Sequence, residues 1–216
     1  MRVGLTFDCE HADNPESSPY NTGAIVDLLE SYGVRATFFL QGRWVRAYPK
    51  IAQRIVERGH LIGSHSFYHA PMTAFTPRNM EADLISASEA IKDVTGVRPA
   101  WFRPPYGTTS AAVRRRVEAV GQREVLWNVA GLDWQPTYEA RVAANVLDNV
   151  KDGSIVLLHG WPNVTPHALI PILNADHKYL GLDDMPCRGW CYLCGENVPC
   201  ALLLGHDGPC SALNEE

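Results

Sequence analysis

Two histidines four residues apart, in His65-Ser66-Phe67-Tyr68-His69, form the most chemically suggestive spacing in this chain. On a helical turn that spacing puts both imidazoles on one face, within reach of a single metal ion. Asp8 closes the apolar run Val3-Gly4-Leu5-Thr6-Phe7 and is followed by Cys9, Glu10 and His11. An acid at the end of a buried strand serves either as a functional carboxylate or as a loop cap. In Arg103-Pro104-Pro105-Tyr106-Gly107 a guanidinium adjoins a stiff turn whose fixed φ angles would hold a following N–H in place. Asp133-Trp134 pairs an acid with an indole, and His159 emerges from the buried run Ile155-Val156-Leu157-Leu158.

The cysteines form a separate constellation. Five of the six, Cys187, Cys191, Cys194, Cys200 and Cys210, lie after Pro186. A C-x2-C pair followed by mixed Cys and His is spaced for a tetrahedral zinc site, and metal binding would supply the folding energy of so short a segment. Cys194, Cys200, His206 and Cys210 are the first-choice quartet, since Gly205 and Gly208 let the chain bend around His206. Cys191 is the substitute ligand. The alternative is a pair of disulfides, in which His206 has no part. Two domains are expected: residues 1–185, and a zinc-binding tail over 187–216.

Something must hold the first set of residues together. From residue 1 to about 185, short β-branched and aromatic runs alternate with helix-period stretches, which indicates βα units around a parallel sheet. The expected strands are Val3 to Asp8, Ala36 to Leu40, His60 to Ser64, Ala100 to Arg103, Val125 to Val129 and Ser154 to His159. Helices are expected over Thr22 to Ser31, Pro49 to Arg58, Ser110 to Val120 and Tyr138 to Val150. The clearest helix starts at Thr76-Pro77 and stops at Gly96. Asp8, His65, His69, Arg103, Asp133 and His159 all fall at or just after the C-terminal end of an expected strand, or in the loop that follows. In a βα barrel those ends share the face that carries the active site.

With 216 residues, 46% hydrophobic and 20% charged, the chain has ordinary globular composition. A formal charge of −5, from 24 acidic against 19 basic residues, argues against binding nucleic acid through a broad basic surface. No apolar window is long enough for a membrane span. Met1-Arg2 runs straight into the first expected strand rather than into a leader, and with reduced-looking cysteines this places the expected location in the cytoplasm.

Taken together, the motifs resemble the polysaccharide deacetylase family, defined by the NodB homology domain and also called carbohydrate esterase family 4. Its T-F-D-D motif appears as Thr6-Phe7-Asp8-Cys9, H-S/T-x-x-H as His65 to His69, and R-x-P-Y as Arg103 to Tyr106. D-W appears as Asp133-Trp134, and the apolar run ending in His as Leu157-Leu158-His159. The resemblance spans the first 185 residues and none of the tail. It implies an α/β fold, a distorted, incomplete (β/α) barrel of about seven strands. It also implies metal-assisted removal of the acetyl group from an N-acetylated amino sugar, with zinc as the common metal. By the same resemblance His65 and His69 bind the metal and Asp8 is the general base. His159 protonates the leaving amine, and Asp133 tunes it. Arg103 holds Asp8 in place, and the Tyr106 backbone N–H stabilises the oxyanion. Leu157, Trp134 and Trp127 would line the pocket for the acetyl methyl.

One family position departs. The second Asp of the first motif, a metal ligand in the family, is here Cys9, followed by Glu10. Strand alternation would turn Cys9 away and return Glu10 to the side of Asp8, whereas a tight turn would present Cys9. Glu10 is favoured over Cys9. Two other functions stay open at this point: hydrolysis of a different amide by the same fold, and glycan binding without turnover.

Overall fold

The computed structural model of the protein describes residues 1–11 and 19–185. The expected zinc tail, with Cys187, Cys191, Cys194, Cys200, His206 and Cys210, lies outside the described residues. Within them the chain runs β1 (Arg2–Cys9), α1 (Pro19–Ser31), β2 (Thr37–Leu40), α2 (Gly42–Ala47), α3 (Pro49–Glu57) and β3 (Leu61–Ser64). It continues through α4 (Pro77–Thr95), β4 (Trp101–Phe102), α5 (Ala111–Ala119), β5 (Arg123–Glu124), β6 (Val129–Ala130) and α6 (Glu139–Leu147). The last elements are β7 (Ser154–His159), α7 (Thr165–Asn174) and β8 (Lys178–Leu180). Among the described residues no helix is long and apolar enough to cross a membrane.

Every strand pairing is parallel, in the order β5-β4-β3-β2-β1-β7-β6. The short β8 pairs with Arg2 to Gly4 of β1, while β2 takes the second half, Thr6 to Cys9. The result is a distorted, incomplete (β/α) barrel. Side-chain parity divides its layers. Val3, Leu5, Phe7 and Cys9 of β1, Phe38 and Leu40 of β2, and Val156 and Leu158 of β7 all pack in one core cluster with Ile25, Leu29 and Leu169 of the helices. The alternate residues, among them Phe39 and Ile155, turn to the barrel interior and meet Trp101, Val125 and Leu182 in a second cluster.

The structure differs from the expected elements in one instructive place. The single strand expected over Val125 to Val129 does not form: β5 ends just before it at Glu124 and β6 begins at Val129, at opposite ends of the sheet. Residues 125–128 cross the seam between them. Val125 donates its N–H to Phe102 on one side, and Asn128 donates to Ile155 on the other. Apolar composition there reflects burial, but the hydrogen bonds go to two different neighbours, so no continuous strand forms. Helix α4 follows the expected signals: Thr76 Oγ1 accepts from the Asn79 N–H, Pro77 occupies the first turn, and Gly96 ends the helix at φ 76°. The elements α2, α7 and β8 carried no distinct sequence signal.

Gly63 in β3 shows how tightly the interior is built. A Cβ there would lie 2.4 Å from two ring atoms of Phe39, whose face supports the Arg103 guanidinium at 4.1 Å. Gly63→Ala should therefore destabilise the fold by about 1–3 kcal/mol through overpacking. Chemical denaturation at neutral pH measures this, and an unchanged midpoint would contradict it.

Candidate active site

Arg103, just beyond β4, is fully buried in the barrel interior. Its Nη1 donates to Asp8 Oδ1 at 2.9 Å and to Thr6 Oγ1 at 2.7 Å, and Nη2 donates to the Leu126 carbonyl at 3.2 Å. Thr6 and Asp8 share a face of β1 because they are two residues apart. Thr6 in turn donates to the Val156 carbonyl at 2.6 Å, so its own hydroxyl is satisfied in both directions. Burial works against the charged guanidinium, and the adjacent Asp8 carboxylate opposes that shift.

Asp8 is paired in register with His159 across β1 and β7. His159 Nδ1 donates to Asp133 Oδ1 at 2.9 Å, which leaves Nε2 facing the barrel mouth. Asp133 Oδ2 accepts from the His159 backbone N–H at 2.8 Å and from Thr165 Oγ1 at 2.7 Å. Desolvation alone would keep His159 neutral, but the Asp133 and Glu10 carboxylates outweigh it and raise its pKa to about 9.

Glu10, His65 and His69 converge beside this pair, with one ligand atom from each lying within 4.8 Å of the others. The donor set fits a divalent cation. His65 Nδ1 is committed to the Arg103 carbonyl at 2.7 Å, so it carries the proton and Nε2 keeps a free lone pair. His69 is held down to about 2, first by burial and then by its neighbouring imidazoles, and so remains neutral. Glu10 Oε2 is buried without a hydrogen-bond partner, and burial pushes the carboxyl up to about 7 against the attraction of His159. A buried acceptor in that condition is suited to a cation. Cys9, by contrast, sits fully buried in the hydrophobic core, where a Cβ on Gly160 would come within 2.7 Å of its Sγ.

The two histidines are not brought together by a helical turn. Residues 65–69 form an irregular loop with left-handed backbone at Ser66 (φ 63°) and His69 (φ 59°), and the two imidazole rings lie 4.9 Å apart. Ser66 Oγ accepts from the His69 N–H at 2.8 Å. Asp83, on α4, accepts from the N–H groups of Phe67 and Tyr68 at 2.9 and 3.2 Å. These bonds hold a backbone that would otherwise be strained.

Around the rim, Tyr106 adopts φ 58° after Pro104-Pro105, and its exposed ring meets His69 edge-on at 4.7 Å. The Trp134 ring meets His159 at 5.0 Å. Trp127 packs over Gly107 and lies 5.6 Å from the Arg103 guanidinium. Leu157 is buried on the interior face of β7, between Ile155 and His159. Sequence reasoning did not single out Asp83, Thr165, Trp161 or His11. The last two touch the cluster directly: Trp161 Nε1 donates to Glu10 Oε1 at 2.7 Å, and the His11 ring lies 5.0 Å from His69. Position supplied the only available signal, since His11 follows Glu10 and Trp161 stands two residues after His159.

Fold and site together define a member of the polysaccharide deacetylase family, and the family model "Polysaccharide deacetylase" matches residues 1–125. The chain belongs to that family. It is 34% identical to a peptidoglycan-N-acetylglucosamine deacetylase of Listeria monocytogenes over 85% of this chain and 38% of that one. It is also 34% identical to a chitooligosaccharide deacetylase of Azorhizobium caulinodans over 73% and 72% of the two chains. Among solved structures it resembles a family 4 carbohydrate esterase from Streptomyces lividans in complex with acetate, with 31% identity, a TM-score of 0.72 and coverage of 80% and 85%. The chain spans about two fifths of the length of the first curated relatives it matches.

Asp83 offers a direct test of the loop argument. Asp83→Ala removes the acceptor for two backbone N–H groups and should cost about 1–3 kcal/mol of stability. Urea denaturation of the two proteins measures it, and hydrogen exchange should localise faster opening to residues 65–69.

Proposed function

We propose that the protein is a metal-dependent N-deacetylase that hydrolyses the acetamide of an N-acetylated amino sugar in a glycan or amino-sugar conjugate. The observation that carries this reading is the arrangement of Asp8 and His159, one fixed by Arg103 and the other by Asp133, beside the Glu10, His65 and His69 cluster. The names of the Listeria and Azorhizobium relatives support the substrate class.

In this reading Glu10, His65 and His69 hold a divalent ion, proposed to be zinc. When bound, the ion supplies Lewis-acid polarisation of the amide carbonyl and acidifies a water molecule. Asp8 takes a proton from the attacking water as general base, and its carboxylate is kept in line by Arg103. The Tyr106 backbone N–H is placed by the proline turn to donate to the developing oxyanion. His159, held through Nδ1 by Asp133, acts as the imidazolium and gives its Nε2 proton to the leaving amine. The C–N bond breaks, and acetate and the free amino sugar leave. Leu157, Trp127 and Trp134 form the apolar wall against the acetyl methyl. For the segment after Pro186 a second, structural zinc is proposed, on the strength of its Cys and His spacing.

A mass-resolved assay of acetate loss from N-acetylglucosamine oligomers, peptidoglycan fragments and nucleotide sugars, with and without added zinc, tests the reading. Asp8→Asn and His159→Ala should each lower kcat/KM by about 10²–10⁴-fold with far-UV circular dichroism unchanged. Full activity in either variant contradicts the acid–base roles. Binding of the oligomers without any turnover would instead favour a glycan-binding barrel.

A further inference from the structure

Glu10 stands one position further along the chain, and carries one methylene more, than the second aspartate of the T-F-D-D motif, whose place Cys9 takes. A longer side chain has an extra torsion to fix before it can offer an oxygen in a set geometry. The strand register shows what fixes it. β1 and β7 run in parallel with Asp8 opposite His159 as their last pair, so two residues further on Glu10 comes opposite Trp161. The indole Nε1 donates to Glu10 Oε1 at 2.7 Å. The imidazoles of His11 and His159 stand off from that same oxygen at 3.7 and 3.8 Å, beyond hydrogen-bond range. Oε2 is left buried and without a partner.

The indole is itself held. Its residue's carbonyl accepts from Asn21 Nδ2 at 2.7 Å, and the ring lies edge-on between His11 at 5.5 Å and His159 at 6.0 Å. Trp161 therefore cannot swing away from Glu10 without breaking contacts on both sides.

We infer that Trp161 is the positioning residue for Glu10, occupying Oε1 through its indole N–H so that Oε2 is the oxygen presented beside His65 and His69. The role rests on the metal-site reading given above. It makes Glu10 and Trp161 one unit: a carboxylate on β1 and its lateral donor past the end of β7. Carboxylate ligands of metal sites are commonly oriented in this way by an outer hydrogen bond, whose loss weakens metal binding about 10–100-fold.

The test is a Co2+ titration of the full chain, followed by visible d–d absorption. A site of nitrogen and oxygen ligands is thereby distinguished from cysteine thiolates, which add near-ultraviolet charge-transfer bands. Trp161→Phe should weaken Co2+ binding about 10–100-fold and change the d–d spectrum. Glu10→Gln should weaken it at least as much, and Trp161→Phe should add nothing further in the Glu10→Gln background, because its effect passes through the carboxylate. A merely structural tryptophan would lower the melting temperature and weaken binding by the same factor in both backgrounds, which overturns the inference. Unchanged binding in Trp161→Phe, with His65→Ala abolishing it, overturns the role of Trp161 alone. Unchanged binding in His65→Ala overturns the metal site beneath it. If Trp161→Phe does not fold, benzothienylalanine at position 161 replaces the N–H by sulfur in nearly the same shape, and the same weakening is expected.

Discussion

A guanidinium with no exposed surface sits at the centre of this barrel, and much of the site depends on satisfying it. Arg103 donates to Asp8, Thr6 and the Leu126 carbonyl, and rests on the face of Phe39. Its own backbone carbonyl receives His65 Nδ1. One residue thus sets the position of a carboxylate on β1 and of an imidazole after β3, while drawing in the segment that crosses the seam. Removing one partner of such a buried pair typically costs about 3–5 kcal/mol, because the remaining charge is stranded. The geometry of the site and the stability of the fold are therefore the same constraint here.

The second organising fact is parity. Along β1 the odd-numbered residues Val3, Leu5, Phe7 and Cys9 enter the core, and the even-numbered Thr6 and Asp8 face the interior. Glu10 continues the even series and arrives beside the histidines, whereas Cys9 joins the odd series beneath the helices. A carboxylate at position 10 therefore keeps the face of Asp8, where an indole N–H meets it.

Charge distribution follows from the same packing. Asp133 accepts three hydrogen bonds and, with Glu10, raises the pKa of His159 against the effect of burial. At His65 and His69 burial is the largest influence and lowers the pKa, with Asp8 opposing it at His65.

The alternation of β-branched runs with helical periods, the cap and stop residues of α4, and the collection of Asp8, His65, His69, Arg103, Asp133 and His159 at strand ends were all determined by sequence, because they depend on local spacing. The parity that separates Cys9 from Glu10 was legible for the same reason, although spacing alone left open whether a turn would intervene. What only the tertiary structure decided depends on partners distant in the chain. The run from Val125 to Val129 looks like one strand, but it spans a seam and bonds to two different edges. The His65–His69 pair looks helical but forms a left-handed loop, because Asp83, on α4, supplies the acceptors that hold it. Trp161 lies 151 residues from Glu10, and no periodicity links them. Their hydrogen bond exists because β1 and β7 pair in a register that the folded sheet establishes.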